Sequence, residues 1–504
     1  MNYRQVIKKL GILVILVGVF MASSLVWAAL DYQQDGSKNI LTFVVSVIIC
    51  LAIGFLFLWI GRTATGEILR KEAIAIVGFG WLICGLLGAL PFILSGVLTQ
   101  DFKGPFDIGA SAIFESCSGF TTTGASIFPS PQDLPRAILF WRSLTHWLGG
   151  MGIVVLFVAV LGGTGAGAKF LFSSEVPGPI AESLRPRIRS TAITLWKIYI
   201  GISAVEVLCL RVQGMNLFES LCHTFGTMAT GGFSTKNESI GFYHNRSIEI
   251  TIIVFMILAG TNFNLHAALL QRRFKAVLKN KEFRVYLLLL LAATLLLTTD
   301  LVANGVYKIG AALRYASFQA VSIMTTTGYG TDNFDKWPSF SRWFLVMLMF
   351  IGGSAGSTGG GIKVIRIMLF VRIVMLEVER TFRPHIVRPL KVAGQDVDDD
   401  MRRAFGMYIG IVLVIFFVAT LLLMVLHNEY HVADHQHMNM ETAFSAVAAT
   451  LNNIGPGLRK VGSIENYAFF TPAAKILLTL LMIIGRLEVM VILCLFVPHF
   501  YRRN

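Results

Sequence analysis

Ten apolar stretches mark out the chain, from about Leu10 to Ala29, Ile40 to Ile60, Ala73 to Ile93, Ala137 to Leu161, Ile193 to Val212, Ile248 to Leu270, Val285 to Val302, Trp343 to Met375, Phe405 to Leu426 and Ala473 to Val497. A hydrocarbon core about 30 Å thick needs roughly 20 residues of helix, so each stretch is long enough to span. Four further apolar segments, Phe106 to Ser118, Leu217 to Met228, Ile309 to Met324 and Met440 to Thr450, have the shorter length of re-entrant helices. Each runs into a polar, glycine-centred stretch: Thr121-Thr122-Thr123-Gly124-Ala125-Ser126, Ala229-Thr230-Gly231-Gly232-Phe233-Ser234, Thr325-Thr326-Thr327-Gly328-Tyr329-Gly330 and Leu451-Asn452-Asn453-Ile454-Gly455-Pro456-Gly457. Bare backbone carbonyls are tolerated at membrane depth only inside protein or beside water, so four such stretches predict one shared aqueous path.

The unit is span, half-helix, glycine-centred stretch, span, used four times after a two-helix preface. It divides the chain into a preface at 1–72 and modules at 73–161, 162–275, 276–379 and 380–504. The glycines at the common position, Gly124, Gly232, Gly328 and Gly455, lie 108, 96 and 127 residues apart, a repeat on the scale of a whole module. The predicted fold is all-α and polytopic, with four modules in pseudo-fourfold order around one pore. Backbone carbonyls can replace the hydration shell of a cation without the charge density of buried carboxylates. The candidate ion-binding residues are Thr122, Thr123 and Gly124; Thr230, Gly231 and Gly232; Thr326, Thr327 and Gly328; and Asn453, Ile454 and Gly455. Glycine allows the dihedrals that carbonyls facing one axis require, and four half-helix C-termini, each with roughly half a negative charge, favour a cation. The stretches differ from one another, so the symmetry is approximate. Nine residues before the glycines stand Glu115, His223, Gln319 and Ala446. The three polar ones predict hydrogen bonds from behind the carbonyls, although polar groups with only a packing role read the same way.

Twenty-eight residues after the glycines come Gly152, Gly260 and Gly356, with Gly485 thirty after the fourth. Close helix packing accounts for glycine at such depths. It does not account for Gly352-Gly353-Ser354-Ala355-Gly356-Ser357-Thr358-Gly359-Gly360-Gly361, where glycine costs ~1 kcal/mol per position relative to alanine in a helix. This span is predicted to break into a loop within the membrane. Arg486 lies inside the last span at the same depth, and an intramembrane arginine costs at least ~2.5 kcal/mol on insertion scales. Gly352, Gly353, Gly356, Gly359, Gly360, Gly361 and Arg486 are the candidate gate, with Arg486 bonding carbonyls of the broken span; a structural pair with Glu488 is the alternative. Lys363 and Arg366 follow as a cytoplasmic exit or as solvated helix-end charges.

Composition narrows the function. The chain has 504 residues, 55% hydrophobic and 14% charged, with a mean hydropathy of +0.68, which is the polytopic membrane class. The net charge of +14 does not point to nucleic acid, because the basic residues cluster at alternate ends of the apolar stretches. Lys8 and Lys9, Arg62 to Lys71, Lys169 to Arg189, Arg272 to Arg284, Arg380 to Arg403, and Arg502 and Arg503 all fall on one side, which places both termini in the cytoplasm. The six cysteines form no C-x-x-C pair. His427, His431, His435 and His437 fit an exposed outer loop better than a metal site. Gly356 to Lys363 and Gly162 to Gly167 do not fit nucleotide-binding motifs. No constellation of an intramembrane enzyme is visible. A secondary transporter coupled to protons or sodium is the alternative to passive conduction, but the intramembrane carboxylates Glu115, Glu206 and Glu488 are few and scattered.

Together TTTGAS, ATGGFS, TTTGYG and NNIGPG, the GGSAGSTGGGIK break and IIGRLE resemble the membrane subunits of bacterial Trk-type potassium uptake systems, of the Trk/Ktr/HKT superfamily. The resemblance covers essentially the whole chain. It implies potassium as substrate with no cofactor in this chain, a homodimer in the bacterial inner membrane, and gating by a separate cytoplasmic nucleotide-binding subunit. It also implies that the broken third-module span and Arg486 form the gate. Gly124, where sodium-associated relatives carry serine, implies potassium selectivity. The basic loop from Arg380 to Arg403 would serve as docking surface for the partner or for anionic lipid.

Overall fold

The structure is a computed structural model that describes residues 1–65, 68–99, 101–102, 104–152, 188–384, 390–392, 395–397, 399–427, 438–487 and 489–501. The predicted features at Gly162 to Gly167, Lys169, Arg185, Arg187, Arg388, His431, His435, His437, Glu488, Arg502 and Arg503 lie outside these residues.

In hydrocarbon a backbone must satisfy its own hydrogen bonds, so long apolar runs close into helices. Among the described residues six helical stretches are long and apolar enough to span: Tyr3–Leu30, Lys38–Ile60, Arg70–Leu94, Ser190–Val212, Lys281–Ala303 and Phe405–Leu426. They are the two preface helices and the first span of each module. The second spans correct the expectation that only the third is broken, because the second and fourth are broken as well and the first helix ends at Gly150. The first runs from Arg136 to Gly150 and gives way at Met151 and a left-handed Gly152, with φ +68; its expected continuation to Leu161 lies outside the described residues. The second consists of Arg246–Ala259 and Phe263–Leu270, bent by 98°. The third consists of Ser339–Met349 and Val364–Phe382, and the fourth of Pro472–Arg486 and Val489–Leu495.

Two of the second spans pack closely against their half-helices just before they end. A Cβ at Gly149 would stand 1.9 Å from the Phe120 carbonyl oxygen, and one at Gly485 would stand 2.0 Å from that of Leu451. Phe120 and Leu451 end the first and fourth half-helices. Close packing thus explains these two glycines, each in the last turn of its helix. One two-stranded antiparallel pair, Leu390–Val392 with Gln395–Val397, adds to the all-α expectation in the basic stretch between Arg380 and Arg403.

The four half-helices are Pro105–Phe120, Leu217–Met228, Ile309–Met324 and Met440–Leu451. Three carry an acidic residue in the first turn, Asp107, Glu219 and Glu441, where the helix dipole favours it. Side chains tie neighbouring modules in cyclic order. Arg142 joins Glu115 at 2.5 Å and donates to the Ser234 carbonyl at 2.9 Å, linking modules one and two. The Tyr329 hydroxyl donates to the His223 carbonyl at 3.0 Å, linking three to two. Arg459 N–H donates to Asp335 at 2.8 Å, linking four to three. Lys475, 1% exposed, donates to Asp107 at 3.1 Å and Ser111 at 2.9 Å, closing four onto one.

The preface packs as a glycine-lined hairpin: a Cβ at Gly54 would meet the Ile15 side chain at 2.5 Å and the Gly11 carbonyl oxygen at 3.1 Å. Overpacking of this kind costs about 1–3 kcal/mol. Gly54→Leu should therefore lower the thermal midpoint of the purified protein while flux per folded molecule stays unchanged. Loss of flux in a folded Gly54→Leu protein would contradict this purely packing role.

Candidate functional site

All four half-helices end in the same way. In the first, Thr122 N–H bonds the Gly119 carbonyl at 3.0 Å and Thr123 N–H bonds that of Ser118 at 2.9 Å; the counterparts are Thr230 and Gly231, Thr326 and Thr327, and Asn453 and Ile454. This is a Schellman ending, which needs one left-handed residue and usually takes glycine. Here the residue is Thr122 at φ 55, Thr230 at 54, Thr326 at 61 or Asn453 at 55. A β-branched residue in this region is strained, by about 1–3 kcal/mol, and such strain persists where the surroundings over-determine it, typically at functional sites. Two residues later the backbone is left-handed again, at Gly124, Gly232, Gly328 and Gly455, while the residues between are not. Alternation of hand at successive residues turns the carbonyls of each segment out of the regular pattern of a strand or helix.

The segments meet in a closed ring. A Cβ at Gly124 would lie 2.0 Å from the Gly231 carbonyl oxygen, one at Gly232 2.0 Å from that of Thr327, one at Gly328 1.9 Å from that of Ile454, and one at Gly455 2.7 Å from that of Thr123. Each glycine thus abuts the carbonyl just before the glycine of the next segment, and the fourth returns to the first. Any side chain at these positions would push on the neighbouring carbonyl. The four glycines also line one vestibule, together with Arg142, Lys236 and Glu465.

Behind the ring the polar positions divide. Glu115 accepts from Ser126 Oγ at 3.1 Å, Ile127 N at 2.8 Å and Arg142. His223 Nε2 lies 3.0 Å from Ser234 Oγ. Gln319 is 1% exposed, and neither end of its amide has a hydrogen-bond partner, so the expected bond from the third half-helix is not made. The Tyr467 hydroxyl braces the fourth segment, donating to the Gly455 carbonyl at 2.7 Å. Arg142 and His146 were not legible as site residues. The His146 ring bridges the first and second segments, with Nδ1 2.7 Å from the Gly119 oxygen, Nε2 accepting from Phe233 N at 3.2 Å and the ring stacked on Phe233 at 4.0 Å. The signal was present as two polar residues, four apart, on one face of an apolar helix.

Beneath the ring lies the glycine loop. Gly360 N donates to Thr326 Oγ1 at 2.7 Å, and a Cβ at Gly360 would stand 2.6 Å from the Asn452 oxygen, so the loop touches the third and fourth segments directly. Left-handed dihedrals at Gly352, Gly356 and Gly361 shape it. Gly353 packs on Gly260 and Gly359 on the Thr325 carbonyl. Arg486 donates to the Thr358 carbonyl at 2.7 Å, and to those of Gly149 at 2.5 Å and Gly150 at 2.9 Å. It ends its own helix and caps that of Arg136–Gly150, where cations are favoured and carbonyls lack partners. The Thr358 bond places the arginine against the loop, and the other two hold it to the end of Arg136–Gly150. Lys363 turns back onto the Gly359 carbonyl instead of serving only as an exit charge. Arg366 lies over the Tyr408 ring at 4.4 Å. His427 is 2% exposed and packs between Phe469 and Phe470, contrary to an exposed loop.

A helical membrane transporter built from four re-entrant modules is the class that this fold and ring define. A family model described as TrkH, cation transport protein, matches residues 40–500. The chain is similar to the Trk system potassium uptake protein TrkH of Salmonella typhimurium strain LT2, with 38% identity over 506 residues and 100% of both chains covered. It is also similar to the Trk system potassium uptake protein TrkG of Escherichia coli K12, with 31% identity and 99% of both covered. Among solved structures it resembles the potassium transporter TrkH from Vibrio parahaemolyticus, with a TM-score of 0.85, 32% identity and 100% of both chains covered. The chain belongs to the TrkH family of cation transport proteins, transporters rather than enzymes.

The Arg142 and Glu115 side chains are 3% and 0% exposed. Removing one partner of a buried pair strands the other charge, at about 3–5 kcal/mol. Arg142→Met should lower the thermal midpoint in detergent, and the double variant with Glu115→Gln should recover part of the loss. Equal midpoints for wild type and Arg142→Met would show that the pair does not hold the ring.

Proposed function

We propose that the chain conducts potassium through the ring, with Thr122 to Gly124, Thr230 to Gly232, Thr326 to Gly328 and Asn453 to Gly455 as four quarters of a carbonyl filter. The observation that carries this reading is the cyclic contact of each glycine with the carbonyl before the next one. Four carbonyls at one level, from Thr123, Gly231, Thr327 and Ile454, can replace the water around a monovalent cation. The half-helices aim their negative ends at the same place. The relatives named above are called potassium uptake proteins, which supports potassium as the ion. Glu115 is committed to Arg142, Ser126 and Ile127, and this supports passive conduction over coupling through that carboxylate.

The glycine loop is the gate in this reading. It lies against the inner side of the filter and is tied to Arg486, whose charge opposes cations in the same place. The protein sits in the bacterial inner membrane with both termini cytoplasmic, acts as a homodimer, and is controlled by a separate nucleotide-binding subunit. The basic inner loops and the word "system" in the relatives' names support these last assignments.

Two substitutions test the two halves. At Gly124 a side chain meets both a left-handed φ of +79 and the Gly231 carbonyl. Gly124→Ser should lower the potassium-to-sodium permeability ratio in liposomes by about tenfold, equivalent to ~1.4 kcal/mol; an unchanged ratio refutes the filter. Arg486→Ala should raise potassium flux without the partner, and unchanged conductance and opening would sink the gate.

A further inference from the structure

A second charge holds the glycine loop from the opposite side. Glu282 is the second residue of the helix Lys281–Ala303, 73 residues before the loop, and is 8% exposed. Its Oε1 accepts from Ala355 N at 2.7 Å. The positive charge of Lys363, at the start of Val364–Phe382, acts on the same carboxylate. Glu282 therefore touches the loop at Ala355.

The remaining ties differ in kind. Ser354 N bonds the Gly260 oxygen at 2.9 Å, Thr358 N that of Ala259 at 3.3 Å, Phe263 N that of Gly356 at 3.0 Å, and Gly360 N donates to Thr326 Oγ1 at 2.7 Å; these are neutral contacts. The loop's own hydroxyls at Ser354 and Ser357 are buried without hydrogen bonds. Lys363 belongs to the loop and moves with it. Among the described residues, charged ties from outside the loop come from Glu282, accepting at residue 355, and Arg486, donating to residue 358. Hydrogen bonds with one ionised partner are roughly twice as strong as neutral ones. The turn from Ala355 to Thr358 is thus stretched between a carboxylate on a continuous span and a guanidinium on a broken one.

We propose that Glu282 is a positioning residue that latches the glycine loop beneath the ring, an inference that rests on the gate reading above. With the latch released, the loop swings away from Thr326 and Asn452 while the ring stays intact. The full-length protein in liposomes, without partner, tests this through rubidium flux and through cytoplasmic-side thiol labelling of the Ser357→Cys protein, located by mass spectrometry. Glu282→Ala should raise both by about tenfold, the effect expected of a modest population shift. Glu282→Gln, which keeps an acceptor oxygen without the charge, should fall between, and the potassium-to-sodium ratio should not move in either. A merely structural role would lower the amount of folded protein without raising labelling of the folded fraction. Unchanged or reduced flux and labelling in Glu282→Ala, while Arg486→Ala departs from wild type, overturns the latch and leaves the gate standing. If neither variant departs, the gate reading fails and takes the latch with it. Should Glu282→Ala not fold, Glu282→Gln is judged by the same criteria.

Discussion

The structure hangs on the contact between a glycine Cα in one segment and a backbone carbonyl in the next, repeated four times and closed on itself. Any other residue type forces the ring to shift: φ lies between 79 and 98 at these glycines, and an added Cβ would come within 1.9 to 2.7 Å of oxygen. The half-helices must stop at the level where this contact forms. Each does so through a left-handed threonine or asparagine that carries strain. The first and fourth second spans press against those half-helix ends, and Gly149 and Gly485 allow the approach.

The ring repeats, but its supports do not. Glu115 with Arg142 and His146 hold the first and second segments together, Tyr329 ties the third to the second, and Tyr467 braces the fourth. Backbone geometry is set by the four Schellman endings, so each module is free to brace its segment with different chemistry. Below the ring the symmetry is lost, because one module supplies a long glycine loop and another supplies Arg486. A guanidinium there is satisfied by three backbone carbonyls from two helix ends and the loop. Backbone carbonyls thus hold a guanidinium beside the glycine loop.

Much of the ring was legible because it is local. Half-helix, threonine and glycine follow each other within one short stretch, and the repeat brings Gly124, Gly232, Gly328 and Gly455 into register. The third-span break was legible from glycine density alone. The other breaks were not, since single glycines such as Gly260 are ordinary in packed membrane helices, and its neighbours Tyr286 and Thr325 come from the next module. Arg142, His146 and Glu282 were missed for a related reason. Their partners, Ser234, Phe233 and Ala355, lie 92, 87 and 73 residues away, and no periodicity records such pairings. Gln319 fails in the other direction: its register matches Glu115 and His223, yet nothing faces its amide.

The central claim is that four backbone carbonyls, from Thr123, Gly231, Thr327 and Ile454, hold a dehydrated cation. Crystals of the protein grown in rubidium in place of potassium, with anomalous difference maps at the rubidium edge, test it most directly. The account predicts anomalous density on the axis of the ring, within coordination distance of those four oxygens. Rubidium bound elsewhere in the protein, with the ring free of anomalous density, would contradict it.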